Sequence, residues 1–154
     1  MSAPNPIYAS LIYIGGEDWL HPAWREHFYP ADLPDDWSLP YYNTRFQAVY
    51  LSAARWQAAS AADWSQWLED TQPGFHFLLE PGSVAPPCDV RVIEATPDWC
   101  AAHLWWIDAC PDLRELARHA SARAASGEPF FVISRSGNLG TLEQVATLSQ
   151  VLGY

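Results

Sequence analysis

AVYLSAARWQAASAADWSQWLEDTQPGFHFLLE, residues 48–80, is the stretch that decides the fold. It opens on an apolar run, Ala48 to Ser52, and ends on another, Phe75 to Leu79, with a helical pattern between them. Ser60 followed by Asp63 resembles a capping box with Asp in place of Glu or Gln. It opens a helix through Asp70 that sets Trp64, Trp67 and Leu68 on one face, and Pro73-Gly74 stops it. Two short apolar runs separated by an amphipathic helix read as neighbouring parallel strands with a helix laid over them.

The same alternation extends in both directions. Ile7 to Ile14 reads as a first strand stopped by Gly15-Gly16, and Pro22 opens a short helix, PAWREHF, at the position where its missing N–H costs nothing. A turn-rich connector, YPADLPDDW, leads to a helix over Ser38 to Phe46. Beyond Leu79 a Pro-rich joint, PGSVAPP, precedes a fourth strand from Asp89 to Ala95. Thr96-Pro97 then starts a helix through about Ala109. Asp112 to Ser126 is a long helix closed by Gly127, Phe130 to Ser134 is a fifth strand, and Thr141 with Gln144 caps a final helix. The expectation is one α/β domain over residues 1–154, a parallel sheet of about five strands under helices.

Composition narrows function by exclusion. Among 154 residues there are 8 Lys+Arg and 18 Asp+Glu, a net charge of 8 − 18 = −10, and every basic residue is Arg. That charge argues against nucleic acid and against an anionic membrane as partner. No apolar run approaches the roughly 18 residues of a spanning helix, and Met1 to Pro6 lacks a secretion leader. The expected compartment is the cytoplasm, where Cys88, Cys100 and Cys110, odd in number and widely spaced, are free thiols. Nine Trp read either as filling for an Ala-rich core or as an aromatic platform for a sugar or a protein.

The stretch YIGGEDWLHPAWREHFYPADLPDDWSLPYYNTRFQAVYLSAARW carries a resemblance: Gly15, Trp19, Trp24, Phe28-Tyr29-Pro30, Leu33, Tyr41-Tyr42, Phe46 and Val49 match the opening pattern of the YecE-like proteins, domain-of-unknown-function family 72. PGFHF (Pro73 to Phe77) is similar to that family's third strand, and the segment after Asp112 to its last helix, strand and helix. The resemblance implies a (β/α) barrel. A complete one takes about 250 residues, so this chain is about 100 short. Aligning both ends puts the gap near PGSVAPPCD, between the third and fourth strands. The implied fold is a truncated TIM-barrel-like sheet, open or incompletely closed, with an edge that self-association would hide.

The family's polar strand-end residues are replaced while its aromatics are kept. Tyr50 and Ser52 stand where the family has Glu and Asn, Glu80 where it has Lys, Glu17-Asp18 where it has Ser-Gly, and Arg135 and Ser136 where it has paired Asn. Barrel chemistry is built at strand C-terminal ends, so the ancestral site is lost or replaced. The replacements are themselves polar. Glu17, Asp18, Glu80 and Glu94 are candidate catalytic carboxylates, a general acid and base or an oxygen-rich Mg or Ca site. His76 and Arg135 lie near them as candidate ligand-binding residues, and the alternative is a solvated acidic rim. In SRSGNLGT, Gly137 and the helix start at Thr141 offer N–H groups for a phosphate, or form a plain capped loop. His21, His27, His103 and His119 lack metal-ligand spacing, and no hydrolase or cysteine-nucleophile motif and no cofactor fingerprint is present. Trp99, His103, Trp106 and Cys110 fall on one helical stripe, with Trp105 off it.

Three functions remain. The first is a non-catalytic or degenerate YecE-like protein acting through self-association or a protein partner. The second is an enzyme or binder for a sugar or phosphorylated metabolite, using the strand-end carboxylates and a divalent metal. The third is an acidic decoy for a basic partner. Convergence of Glu17, Glu80 and Glu94 in an open pocket favours the second; a centre filled by Trp disfavours it.

Overall fold

The computed structural model describes residues 12–24, 28–109 and 111–153. The first eleven residues, with the start of the expected first strand, lie outside them, as do residues 25–27 and Cys110. The described chain forms β1 (Ile12–Glu17), a 3-10 turn (Pro22–Trp24) and a second one (Asp35–Trp37), then α1 (Ser38–Arg45) and β2 (Ala48–Leu51). Next come α2 (Ala53–Gln57), α3 (Ala61–Asp70), β3 (His76–Leu79), β4 (Val92–Glu94), α4 (Pro97–His103) and β5 (Leu104–Trp106). α5 (Leu113–Ala125), β6 (Phe130–Ser134) and α6 (Leu139–Leu152) close the series.

All strands pair in parallel in one curled half-barrel sheet of order β4-β3-β2-β1-β6-β5. Three sequence expectations change here. The sheet has six strands instead of five, because Leu104–Trp106 leaves the helix and pairs with β6, Trp105 opposite Val132. The helical stripe therefore ends at His103. The opening also moves. β3 pairs directly with β4, Phe77 opposite Val92, so PGSVAPPCD is an ordinary connection. In an eight-strand ring the missing pair of strands falls between β4 and β5, the two edges that α4 bridges.

Local chemistry sets the helix ends. Ser60 and Asp63 form the full reciprocal capping box of α3. Asp112 caps α5 through Arg114 N–H and Glu115 N–H, and Thr96 caps α4 with Pro97 following. The last helix starts earlier than expected: Asn138, not Thr141, is its cap, and the Asn138 side chain accepts the Thr141 N–H at 3.1 Å.

Two apolar layers lie on the two faces of the sheet. The helix-covered face holds Trp24, Tyr42, Val49, Phe77, Val132 and Leu142, with Trp24 and Tyr42 fully buried. Tyr42 of α1 ties two strands together: its hydroxyl donates to Ala48 O at 2.6 Å and accepts from Gly16 N at 2.9 Å. Gly16 is required because a Cβ there would come 2.6 Å from the Trp24 ring. The concave face holds Tyr13, Tyr50, Leu78, Leu104, Phe131 and Ile133, and α4 packs onto it through Trp99 and Cys100.

Both edges of the sheet are short, and local bonds occupy part of each. On β4 the inward groups are those of Arg91 and Ala95, bonded to Phe77 and Leu79, so Val92 and Glu94 face outward. Of these, Val92 N–H donates to Asp89 O and Glu94 O accepts from Thr96 N–H. On β5, Leu104 N–H donates to Cys100 O and Trp106 O accepts from Ala109 N–H. Short strands with part of their outward groups engaged are poorer templates for a further strand than long bare edges.

Candidate functional site

The strand ends meet around Tyr50, the last inward side chain of β2. Glu17 stands opposite Tyr50 in the β1–β2 register, and Glu80 follows the end of neighbouring β3. The Tyr50 ring meets Trp106 of β5 edge-on at 4.9 Å between centroids. Arg135, which follows β6, places its guanidinium 4.1 Å from the Trp106 ring centre and 5.8 Å from that of Tyr50. Burial pushes the Tyr50 hydroxyl up to about 12. The Glu80 charge adds to that shift, Arg135 opposes it, and Cys100 and Glu17 push further upward. Tyr50 is thus a neutral phenol held between carboxylates and a stacked cation.

The expected carboxylates do not act as one group. Glu17 and Glu80 both bear on Tyr50. Glu80 is already engaged, because Oε1 accepts the Ala53 N–H at 3.0 Å at the start of α2 and its backbone O accepts the Trp56 indole N–H at 2.8 Å. Asp18 is turned away into an ion pair with Arg55, Nε to Oδ2 2.8 Å, and its Oδ1 accepts the Leu20 N–H. Its φ of 67° is an unusual conformation for a residue with a side chain. Arg55 lies 4.8 Å from the Trp19 ring and 5.1 Å from that of Trp67. Glu94 is exposed on the outermost strand, on the alternation opposite to inward-facing Ile93 and Ala95, so it does not join the others. Among the described residues no three His, Cys, Asp or Glu side chains gather as a metal site.

His76 and the final loop also differ from expectation. His76 starts β3, at the end of the strand opposite to the rim, where it is buried between the rings of Tyr13 (5.0 Å) and Phe131 (5.7 Å). Burial pushes its pKa down, against the Gly74 carbonyl contact that raises it. It is a core residue of the concave face, far from Glu80's end of the strand. The phosphate cradle expected at Gly137 and Thr141 has its N–H groups consumed. Gly137 N–H donates to Ser134 Oγ at 3.1 Å, and Thr141 N–H goes to Asn138. The N–H groups of Arg135 and Ser136 both go to the Asp108 carboxylate.

Asp108 is the residue the sequence reading missed. Its carboxylate accepts from Ser134 Oγ (3.0 Å), Ser136 Oγ (2.8 Å), Ser136 N (3.2 Å) and Arg135 N. Burial alone raises its pKa, but the hydrogen bonds from Ser136, Arg135 and Ser134 outweigh that, and the net shift is downward. The signal in the sequence is an acid directly after the apolar run Leu104 to Ile107, a run whose composition suits a helix and a strand equally. From the other side, His21 Nε2 lies 2.8 Å from Arg135 O, and the Trp24 indole N–H donates to Gly137 O at 2.8 Å. The loop after β6 is thereby fastened at both ends.

Above the concave face, Trp99 of α4 stands 5.4 Å from both the Phe131 and the His103 rings. Trp105, on the other face, meets the tilted ring of His119 of α5 at 4.8 Å between centroids. The large exposed aromatic is neither of these but Trp37, which is 63% exposed beside α1. Cys88 and Cys100 are free thiols.

No curated protein and no solved structure matches this chain. A family model does: residues 13–81 match the family described as "Protein of unknown function DUF72", the region that holds the kept aromatics and the first three strands. The match spans 69 of the 154 residues, so the likeness to the DUF72, YecE-like, proteins lies in the N-terminal part of the chain.

Proposed function

We propose that this chain is a degenerate member of its family that works by binding a protein partner instead of catalysing a reaction. The observation that carries the reading is that the polar groups around the strand ends already satisfy one another. Arg135 is stacked on Trp106, Asp108 takes the loop N–H groups, Glu80 caps α2 and Asp18 holds Arg55. The concave face is packed by Trp99 and Cys100. A catalytic site needs groups poised for substrate, with donors aimed at the place where charge will develop. Self-association through the sheet is the weaker form of this proposal, because outward groups on both edge strands are bonded locally. The surface that remains is one of exposed side chains, rich in carboxylates and carrying the exposed Trp37, an aromatic of the kind that commonly anchors interfaces.

A second reading keeps one supporting fact: Glu17 and Glu80 both act on Tyr50 at the rim. A sugar or phosphorylated metabolite held there, with a divalent metal, is the corresponding proposal. One experiment separates the two. In a thermal-shift panel of divalent metals, phosphate, sugars and sugar phosphates, a ligand at about 100 times its Kd adds about 2.7 kcal/mol. For a domain of this size that is roughly 5–10 °C. The partner-binding reading expects a flat panel. A shift of that size, lost in Glu17→Ala, replaces it with the ligand-binding reading.

A further inference from the structure

Resting on the partner-binding reading, we infer that the groove between α1 and α3 is the docking site, and that its occupant is an extended arginine-bearing segment of another protein. Two adjoining cavities of about 470 and 420 Å³ share Asp36, Gln66 and Asp70 as walls, so they form one continuous groove. Its apolar part is made by Trp37 and Tyr41. Trp37 is 63% exposed and lines this groove with Leu33, Pro40 and Tyr41, an apolar surface rimmed by polar side chains of the kind that marks an interaction site. The carboxylates of Asp36 and Asp70 stand beside it with no cationic partner among the described residues.

The molecule itself displays how a guanidinium is received in this groove. At its inner end Arg55 lies against Trp19 and Trp67, 4.8 and 5.1 Å from the ring centres, and donates from Nε to Asp18 at 2.8 Å. An aromatic face joined to a carboxylate is the combination that suits Arg over Lys, because the planar guanidinium stacks and forks while an ammonium does neither. The outer end offers the same combination: Trp37 supplies the ring, and Asp36 and Asp70 the charge, with Asp70 Oδ1 also accepting from Gln66 Nε2 at 2.9 Å. A second copy is the poorer occupant. On α5, the helix richest in Arg, two of the three are engaged, Arg118 with Glu115 and Arg123 with Glu128, which leaves Arg114 where the groove offers room for more than one guanidinium. The volume suits two or three side chains of an extended segment rather than a whole helix.

The test is a titration of the full chain with an acetylated, amidated Arg-Gly-Arg-Gly-Arg peptide, read by Trp fluorescence and amide NMR shifts. The same peptide with citrulline at each Arg is the neutral control. Saturable binding by the Arg peptide alone is expected, weakening as salt screens the carboxylates. Trp37→Ala, and separately Asp36→Asn with Asp70→Asn, should each weaken it by about tenfold or more. Trp37→Ala trims an exposed ring, so the fold is retained and its loss of binding is interpretable. Equal binding of the citrulline peptide, no saturable binding, or unchanged affinity in both variants would overturn the proposal. So would a dimer in sedimentation that Trp37→Ala dissolves, which makes a second copy the occupant. A failed titration with a flat ligand panel sinks this partner class only, whereas a bound small molecule in the panel sinks the reading beneath it.

Discussion

Replacing Asp108 by Ala tests whether the loop after β6 is fastened as described. Four donors lose their acceptor: Ser134 Oγ, Arg135 N, Ser136 N and Ser136 Oγ. Three of them belong to exposed residues, where water takes over much of the bond. Ser134 does not have that recourse: it is 0% exposed, its hydroxyl already accepts the Gly137 N–H, and its own proton is left with only the long contact to Ser136 Oγ at 3.4 Å. A stranded buried donor costs about 1–3 kcal/mol. Adding a fraction for the charge-assisted bonds, discounted for exposure, gives about 2–3 kcal/mol. At 2–4 °C per kcal/mol for this size, the midpoint falls by about 4–12 °C. Asp108→Asn, which keeps an acceptor without the charge, should lose about half as much. The pH dependence has a definite sign. The folded pKa of Asp108 lies below its ordinary value of 3.8, so the unfolded chain binds the proton more readily. The stabilisation is therefore complete above about pH 5 and fades as pH falls through the folded pKa. Thermal unfolding followed by circular dichroism at pH 7 and pH 3 measures both effects. A loss under 2 °C at pH 7, or a gap between wild type and Asp108→Ala that stays constant down to pH 3, would refute the account.

Two further perturbations probe the same rim. Gly137 has φ 70°, and a Cβ there would stand 2.8 Å from His21 Nδ1 and 2.9 Å from Trp24 Nε1. Gly137→Ala should therefore cost about 2 kcal/mol or more, from the left-handed backbone and the displaced Trp24 bond, read as a lower melting midpoint. Tyr50 has a folded pKa of about 12 against an ordinary 10.0, so its contribution is complete below pH 10 and is lost between about pH 10 and 12. Because Tyr29 and Tyr42 are shifted the same way by burial, Tyr50→Phe should shallow the alkaline loss of stability without abolishing it, in unfolding curves collected from pH 9 to 12.

What was legible in the chain follows its physics. The parallel α/β alternation, the α3 capping box and the assignment of the kept aromatics to a family pattern depend on neighbours in sequence, and each stands. β5 was illegible because Leu104 to Ile107 is an apolar run that serves a strand or a buried helix equally, and only its pairing with β6 decides between them. The extent of α6 was misread for a different reason: Asn138 and Thr141 are both good caps, and the helix took the earlier one. At the rim, sequence located the strand ends but not the direction of their side chains. Glu17 and Glu80 do approach Tyr50, while Glu94 points away and His76 sits at the far end of its strand. Those outcomes depend on register and pleat, and a one-residue difference in either sends a side chain to the other face.

The position of the opening ties fold to function. Had the gap lain between the third and fourth strands, β3 would be an edge and Glu80, beside it, would face solvent with room for a ligand. With β4 paired to β3, Glu80 is instead flanked by strands on both sides and bonds to α2. The two edges that remain are three residues each and carry α4 between them. That helix covers the concave side of the half-barrel. A concave sheet face left bare would expose Tyr13, Leu78, Phe131 and Ile133, and α4 packs Trp99 and Cys100 against that layer. Trp99 meets Phe131, and Phe131 meets His76 at the start of β3, so this cover packs the end of the concave face away from the rim and leaves the Tyr50 cluster at the strand ends as a separate feature.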